Sequence, residues 1–347
     1  MKKRLILVLL LVLLTGCGQR EPERWPVEAG RIRQDTEYLC TSIGPRVTGG
    51  EAERAAADWL AGRLEELGFG TVVRTPFQGL GELRSENLMV ECGPGRDGPL
   101  VAVVAHYDTV ADCPGARDNG ASVAILLELA RQLGPEGADL PFTVRLIFLG
   151  SEENGYHGAS AYVDGLTQAE RDRHLAVFNM DISAADADAQ AQLVCMTLGG
   201  GLDGPYREGN FLEAVDNTPA RAVGRAFQTL YGGERPPLLH GGMSDHVVFH
   251  QAGMEAANIC WRKVSGPEAR LPAEYHRPTD TPDTLDYETA VVTARCILIS
   301  WRQIWRSDRK KAAPRPVGRG AAFDLPKKPR RVRRTGGEES EIFCAPL

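Results

Sequence analysis

The 347-residue chain has no C-x-x-C pair, no G-x-S-x-G run, no internal repeat and no apolar stretch long enough to span a bilayer comfortably. Each absence removes a class of protein. Without paired cysteines at regular spacing there is no signature of a zinc ribbon, a thioredoxin-like redox centre or a disulfide framework. Without the nucleophile-elbow motif, a serine hydrolase of the α/β type is disfavoured. The leading apolar run, Leu5 to Leu14, falls well short of the roughly 20 residues that a transmembrane helix needs. Basic charge is also scarce where it would matter. The net charge is −6, with Lys2-Lys3-Arg4 contributing +3 and the segment from Asp308 onward +6, so the body between them carries −15. A body that acidic argues against nucleic acid as a partner, because phosphate binding requires a basic surface.

What is present suits a large folded domain. With 43% hydrophobic and 25% charged residues, the composition is that of a globular protein with a full core. Of the eight cysteines, Cys92, Cys195, Cys260 and Cys296 lie in apolar runs and read as buried thiols, and the spacing assigns no disulfide and leaves the pairing of Cys113 open. The basic residues 2–4, the apolar run and the sequence Leu14-Thr15-Gly16-Cys17 together resemble a bacterial lipoprotein signal with its lipobox. That resemblance implies cleavage before Cys17 and lipid on its sulfur and new amino terminus. The product would be a domain held at the cell membrane on the extracytoplasmic side, each buried CH₂ contributing about 0.8 kcal/mol. The expected layout is a signal over 1–17, a polar tether over 18–29, a catalytic domain over 30–306, and a basic, Pro- and Gly-rich tail over 307–347 that reads as disordered.

Within the domain, apolar periodicity predicts helices over 31–43, 51–67, 119–133, 219–231, 244–251 and 284–305, with a further one bearing Ala159, Tyr162 and Val163. Strands are expected over 71–77, 86–92, 99–105, 142–149, 175–180, 192–198 and 255–260, and a Gly-rich loop over 199–217. Strands alternating with helices over this length imply an α/β sheet of seven or eight strands covered on both faces.

Three of the buried strands end in groups that carry chemistry: His106 and Asp108, then Glu152 and Glu153, then Asp181. Asp118 opens the helix after the first of these, and His276 sits in a late loop. Singly, each acid would serve equally well as a helix cap or an ion-pair partner. Converging at one sheet edge, they would repel one another and raise each other's pKa unless a cation sat among them. Carboxylate oxygens and imidazole nitrogens suit zinc or a similar first-row ion.

The set "HYDT", "GARDNGAS", "GSEENGYHGAS", "FNMDIS", "GMSDHVVFHQAG" and "YHRPTDTPD", opened by "SIGPRVTGG", resembles the M28 family of di-zinc peptidases in order and approximate spacing from about Ile43 to Trp305. The resemblance implies a single α/β domain with a central mixed, mostly parallel sheet, and two zinc ions as cofactors. It assigns Asp118 as the bridge between the ions, His106 and Asp181 as completing one site, and Glu153 and His276 as completing the other. Asp108 would orient the His106 ring, and Glu152 would be the general base. Tyr275 matches a position where some members place a hydroxyl near the scissile carbonyl; a packing role is the alternative. Asp245 would support the pocket or face substrate, His240 would line the substrate cleft, and His246 would be structural. His157 and His250 lie in helical patterns and His174 in a charged surface stretch, so none of the three is expected to bind metal. The implied activity is that of a lipid-anchored exopeptidase, foremost an aminopeptidase acting on peptides. A single-zinc glutaminyl cyclase and a carboxypeptidase of the same fold remain open. No protein partner is implied.

Overall fold

The computed structural model describes residues 25–95, 98–137, 140–187, 190–198, 214–241, 243–265 and 268–312. Cys17 and its signal, most of the tether, the greater part of the loop 199–217, and the chain beyond 312 lie outside the described residues.

The sheet is built around β3, Leu100–His106, buried along its whole length. Its seven apolar-to-polar residues still alternate: Val101, Val103 and Ala105 pack into one layer, and Leu100, Ala102 and Val104 into the other. A continuous apolar run of this kind is what a strand covered on both faces requires. Around it stand β1 (Val73–Gln78), β2 (Arg84–Cys92), β4 (Thr143–Leu149), β5 (His174–Asn179), β7 (Gln192–Thr197), β8 (Leu238–His240) and β9 (Ala256–Ser265), in the order β1-β2-β4-β3-β5-β9-β7-β8. The four central strands β4, β3, β5 and β9 are parallel, as are β7 and β8 at one edge. β1 and β2 are antiparallel additions at the other edge, and β7 runs antiparallel to β9. Parallel pairing is thus concentrated at the centre, where the helical crossovers lie. β6 (Ala185–Asp186) forms a separate short pair with β11 (Leu285–Asp286).

On the larger face lie α1 (Ala29–Glu37), α2 (Glu51–Glu66), α3 (Ala121–Leu133), α6 (Thr218–Tyr231) and α8 (Tyr287–Ala312). α3 is buried on nearly every side, with only Arg131 and Gln132 partly exposed, because the sheet lies beneath it and α1 and α8 cover it. Its one acid, Glu128, is fully enclosed and paired with Arg31 at 2.6 Å and Arg131 at 3.3 Å. The opposite face is covered by α4 (His157–Asp164) and α7 (His246–Gln251), with the short α5 (Gln168–Asp172) beside β5. Asn217 caps α6 by accepting from the backbone N–H of Ala220, and Pro219 sits in the first turn.

Three elements differ from expectation. The first helix stops at Glu37 and continues as one π-helical stretch, Tyr38–Ile43, ended by Gly44 at φ +87°. β9 runs to Ser265 and turns back as β10 (Glu268–Arg270) where a long loop was expected. The closing helix continues past Trp305 to Ala312, into the stretch assigned to the tail. All six described cysteines, Cys40, Cys92, Cys113, Cys195, Cys260 and Cys296, are buried and free. No helix among the described residues is long and apolar enough to cross a membrane.

Candidate metal centre

The three strands whose ends carry acid or imidazole groups, β3, β4 and β5, are adjacent and parallel, so their carboxyl ends open on one edge of the sheet. That edge is where open α/β sheets place their sites. His106 is the last residue of β3 and is 1% exposed. β4 stops at Leu149, and the chain turns through Gly150 and Ser151 to present Glu152 and Glu153. Gly150 has no room for a side chain: a Cβ there would lie 2.1 Å from Ser85 Oγ and 2.7 Å from the Glu86 carbonyl. Ser151 takes a left-handed φ of +58°, which swings the two glutamates back over the end of β3. β5 stops at Asn179, and Asp181 follows within two residues, before Ile182 at φ +60°.

The side chains meet as two groups that share Asp118. His106 Nε2 lies 3.3 Å from Asp118 Oδ1 and 3.9 Å from Asp181 Oδ1. His276 Nε2 lies 3.2 Å from the other oxygen of the same residue, Asp118 Oδ2, and 3.1 Å from Glu153 Oε2. The donor atoms of each group, His106/Asp118/Asp181 and Asp118/Glu153/His276, fall within 4.8 Å of one another. All five expected ligands are therefore together, and Asp118 turns one oxygen toward each group. Glu152 stands beside them, within the same reach of His106 and Glu153.

Asp108 sits behind the cluster, fully buried. Its Oδ1 accepts from the backbone N–H of Glu152 at 3.0 Å, and its Oδ2 from the N–H of Glu153 at 3.1 Å and from Thr48 Oγ1 at 3.1 Å. Its Oδ1 is also 3.4 Å from His106 Nδ1. The residue expected only to orient His106 thus also anchors the turn that carries both glutamates.

Residues not singled out from the sequence complete the frame. Asp280 accepts from the backbone N–H of Arg117 at 2.9 Å and of Asp118 at 3.1 Å, tying the shared acid to the loop that bears His276. Asn119 donates to the Met180 carbonyl at 2.8 Å and accepts from Ile182 N–H at 3.3 Å, gripping the peptides on either side of Asp181. Asn258 on β9 accepts from the Asp181 N–H at 3.1 Å. The only sequence signal for Asn119 and Asp280 was their place inside the quoted motifs, and Asn258 had none, since backbone-directed side chains show no periodicity.

Tyr275 is half-buried with its ring stacked on His276, centroids 3.7 Å apart. Asp245 is fully enclosed, and neither carboxylate oxygen has a hydrogen-bond partner among the described residues. It acts on the cluster from within the protein and is not a wall of an open cleft. His240 is half-buried at the end of β8, and His246 donates to or accepts from nothing in the cluster, its Nε2 lying 3.2 Å from the Gly241 carbonyl. His157 and His250 lie on α4 and α7 as expected. His174 is a correction: it is buried at the start of β5 and bonded to Tyr162 Oη at 3.0 Å, not on the surface. Its charged neighbours Glu170, Arg171 and Arg173 are themselves half-buried, and only Asp172 beside them is exposed.

The model of peptidase family M28 matches residues 87–299, well over half of the chain. The chain belongs to peptidase family M28. Among curated relatives, it is 35% identical over 189 residues to aminopeptidase YwaD of Bacillus subtilis, an alignment covering 54% of this chain and 37% of YwaD. The chain spans less than half the length of the curated relatives it matches. Among solved structures it is similar to BSAP, a zinc aminopeptidase from Bacillus subtilis, with a TM-score of 0.67 and 20% identity over 80% of this chain and 95% of that one. It is also similar to the Porphyromonas gingivalis glutaminyl cyclase, with a TM-score of 0.63 and 18% identity over 80% of this chain and 98% of that one. These two share the fold.

The electrostatics of this M28 centre follow from burying so many like charges together. Burial pulls the His106 pKa down, but the field of Glu152 and contacts with Asp108, Asp118 and Asp181 outweigh it and raise it well above the usual value. Contacts with Asp118 and Glu153 lift His276 to about 10. Asp118 is held below the usual carboxylate range: burial would raise it, and the two imidazoles more than reverse that. Burial, reinforced by neighbouring acids, pushes Glu152 well up, Glu153 to about 7 and Asp245 to about 8. The imidazoles hold protons because the site demands positive charge. Among the described residues, His106 Nε2, Glu153 Oε1 and Asp181 Oδ1 are buried with no hydrogen-bond partner, a set that a bound cation would satisfy. Mixed oxygen and imidazole donors, three per group with one shared, fit zinc.

Proposed function

We propose that the chain is a zinc-dependent exopeptidase holding two zinc ions, and foremost an aminopeptidase that hydrolyses the N-terminal bond of peptides. The observation that carries this reading is the division of five ligands into two groups through Asp118, one oxygen toward each. His106 and Asp181 would hold one ion and Glu153 and His276 the other. Zinc so held supplies Lewis acidity that polarises a carbonyl and makes water a stronger acid.

The chain's own residues supply the proton traffic. Glu152, buried and pushed upward in pKa, is poised to take a proton from the attacking water and return it to the leaving amine. Tyr275, whose pKa burial and then the nearby acids push up, keeps its hydroxyl proton for donation to a developing oxyanion. The cyclase shares the fold, but the intact second ligand group, which gives His106 and Asp181 a common partner in Asp118, supports two metals and hydrolysis.

The deciding experiment is metal analysis of the purified domain joined to a peptide library with free, N-blocked and C-blocked ends. Two zinc per chain and cleavage that needs a free amino terminus support the reading. One zinc with cyclisation of N-terminal glutamine would make it a cyclase, and tolerance of an N-block with demand for a free carboxylate would make it a carboxypeptidase. For location we infer a lipid anchor on Cys17 facing the extracytoplasmic side, from the basic, apolar and lipobox run of residues 2–17. Cys17→Ser should release the protein from membranes in an expressing bacterium, and continued membrane retention would refute the anchor.

A further inference from the structure

We propose that Arg117 is a positioning residue for the His276 half of the centre, holding the His276 loop in place through Glu274. This rests on the reading of the cluster as a two-zinc site.

The two imidazoles are held in different ways. His106 ends a fully buried strand and is 1% exposed, so the sheet itself fixes it. His276 lies in residues 271–281, which belong to no strand or helix, takes a left-handed φ of +59°, and has a side chain 34% exposed. Something other than regular structure must keep its ring aimed at Asp118 and Glu153.

The guanidinium of Arg117 lies where that support is needed. Arg117 directly precedes the shared acid Asp118, and its side chain is 1% exposed. Its Nη1 is 3.4 Å from Glu274 Oε2, two residues before His276, and 3.9 Å from Asp280 Oδ1, four residues after it. Its Nη2 pairs with Asp186 of β6, five residues beyond Asp181, and lies 3.5 Å from Thr284 Oγ1. One planar fork therefore links the chain around Asp118, the loop of His276 and the segment after Asp181. Lysine, a compact charge without the planar fork, spans fewer of these acids on separate segments at once. Glu274 also closes the local turn, its carbonyl accepting from Arg277 N–H at 3.0 Å, so fixing Glu274 fixes the peptide frame around His276. None of these groups touches the donor atoms directly, which makes their effect one of orientation.

The test is calorimetric zinc titration of the stripped full-length protein, comparing wild type with Glu274→Ala, Glu274→Asp and Arg117→Lys, alongside thermal unfolding of each metal-free variant. Glu274 is partly exposed, so its replacement should leave the fold intact. Glu274→Ala and Arg117→Lys are expected to weaken one of the two zinc sites by about 10- to 100-fold, the range for partners that orient ligands. In Glu274→Ala the other site should stay within about threefold of wild type, and Glu274→Asp should recover part of the loss. Turnover at limiting zinc should fall and return when zinc is added in excess. Unchanged affinities at both sites overturn the inference. So does a lowered unfolding temperature without any change in zinc binding, because that marks a purely structural ion pair. If wild type itself takes up fewer than two zinc ions, the two-zinc reading fails first, and that result is seen before any variant is compared.

Discussion

Asp108 Oδ1 accepts the backbone N–H of Glu152 at 3.0 Å while lying 3.4 Å from the ring nitrogen of His106. One buried carboxylate therefore sets both the ligand at the end of β3 and the proposed base at the end of β4. Asp108→Asn preserves the shape but turns an acceptor into a donor facing either the Glu152 or the Glu153 amide. Leaving such a buried amide unsatisfied costs about 1–3 kcal/mol. The expected outcome is a loss of that order in chemical denaturation, together with weaker zinc binding. A variant equal to wild type in both would show that Asp108 is dispensable to the frame.

Glu152→Gln separates the proposed base from the proposed ligands, because Glu152 is outside both groups that share Asp118. The amide cannot accept the proton from water. Hydrolysis of an aminoacyl anilide should fall by about 10²–10⁴-fold, the usual contribution of a general base, while zinc content stays at the wild-type value. Activity that survives with the metal bound would assign the proton transfer elsewhere.

The strand ends were legible in the sequence because β3, β4 and β5 each close on an apolar run, Leu100–Ala105, Leu146–Leu149 and Leu175–Phe178, that breaks abruptly into polar or turn residues. Which acids meet was a different matter. Spacing along the chain does not say that Asp118 turns one oxygen to His106 and the other to His276, and that division came only from the family resemblance. Asp280, Asn119 and Arg117 leave no mark in the sequence for a physical reason. Their hydrogen bonds run to backbone groups or acids far away in the chain, and no local pattern records such contacts. The β9–β10 hairpin was hidden likewise, since three residues, Glu268–Arg270, are too few for alternation to set them apart from a loop.

Behind Asp108 lies a second buried acid with its own pH signature. Glu53 accepts from Ser85 Oγ and from the Gly49 N–H, both at 2.6 Å, and so holds the loop that lends Thr48 to Asp108. Burial raises its pKa from 4.5 to about 7, against the lowering effect of those hydrogen bonds. A carboxyl whose folded pKa is raised binds more protons folded than unfolded, so its contribution to stability declines as pH rises from about 4.5 through 7. Glu53→Gln removes that titration. The difference in unfolding free energy between variant and wild type should shift in favour of the variant across this window by an amount of order a few kcal/mol. A pH-independent difference would mean that Glu53 does not titrate with folding.

Removing the metal should expose the cost of the cluster itself. Burial and adjacent acids raise Glu153 to about 7 and Asp245 to about 8 in the metal-free state, while contacts with Asp118 and Glu153 raise His276 to about 10. All three therefore bind more protons folded than unfolded over the range between their unfolded and folded values. By linkage, each loses stabilising effect as pH rises, the acids mainly up to about 8 and the histidine up to about 10. On the two-zinc reading, zinc would replace those protons as the source of positive charge and bind the folded state more tightly than the unfolded one, so its stabilisation would grow with free zinc as mass action requires. Chelator-treated protein should thus melt lower than the zinc-loaded form, with a gap that widens from pH 6 to pH 9. The check is a series of thermal melts with and without chelator at several pH values, with zinc added back at the end. A gap that is constant or narrows with rising pH would mean that the five ligands do not hold their proposed charge states together.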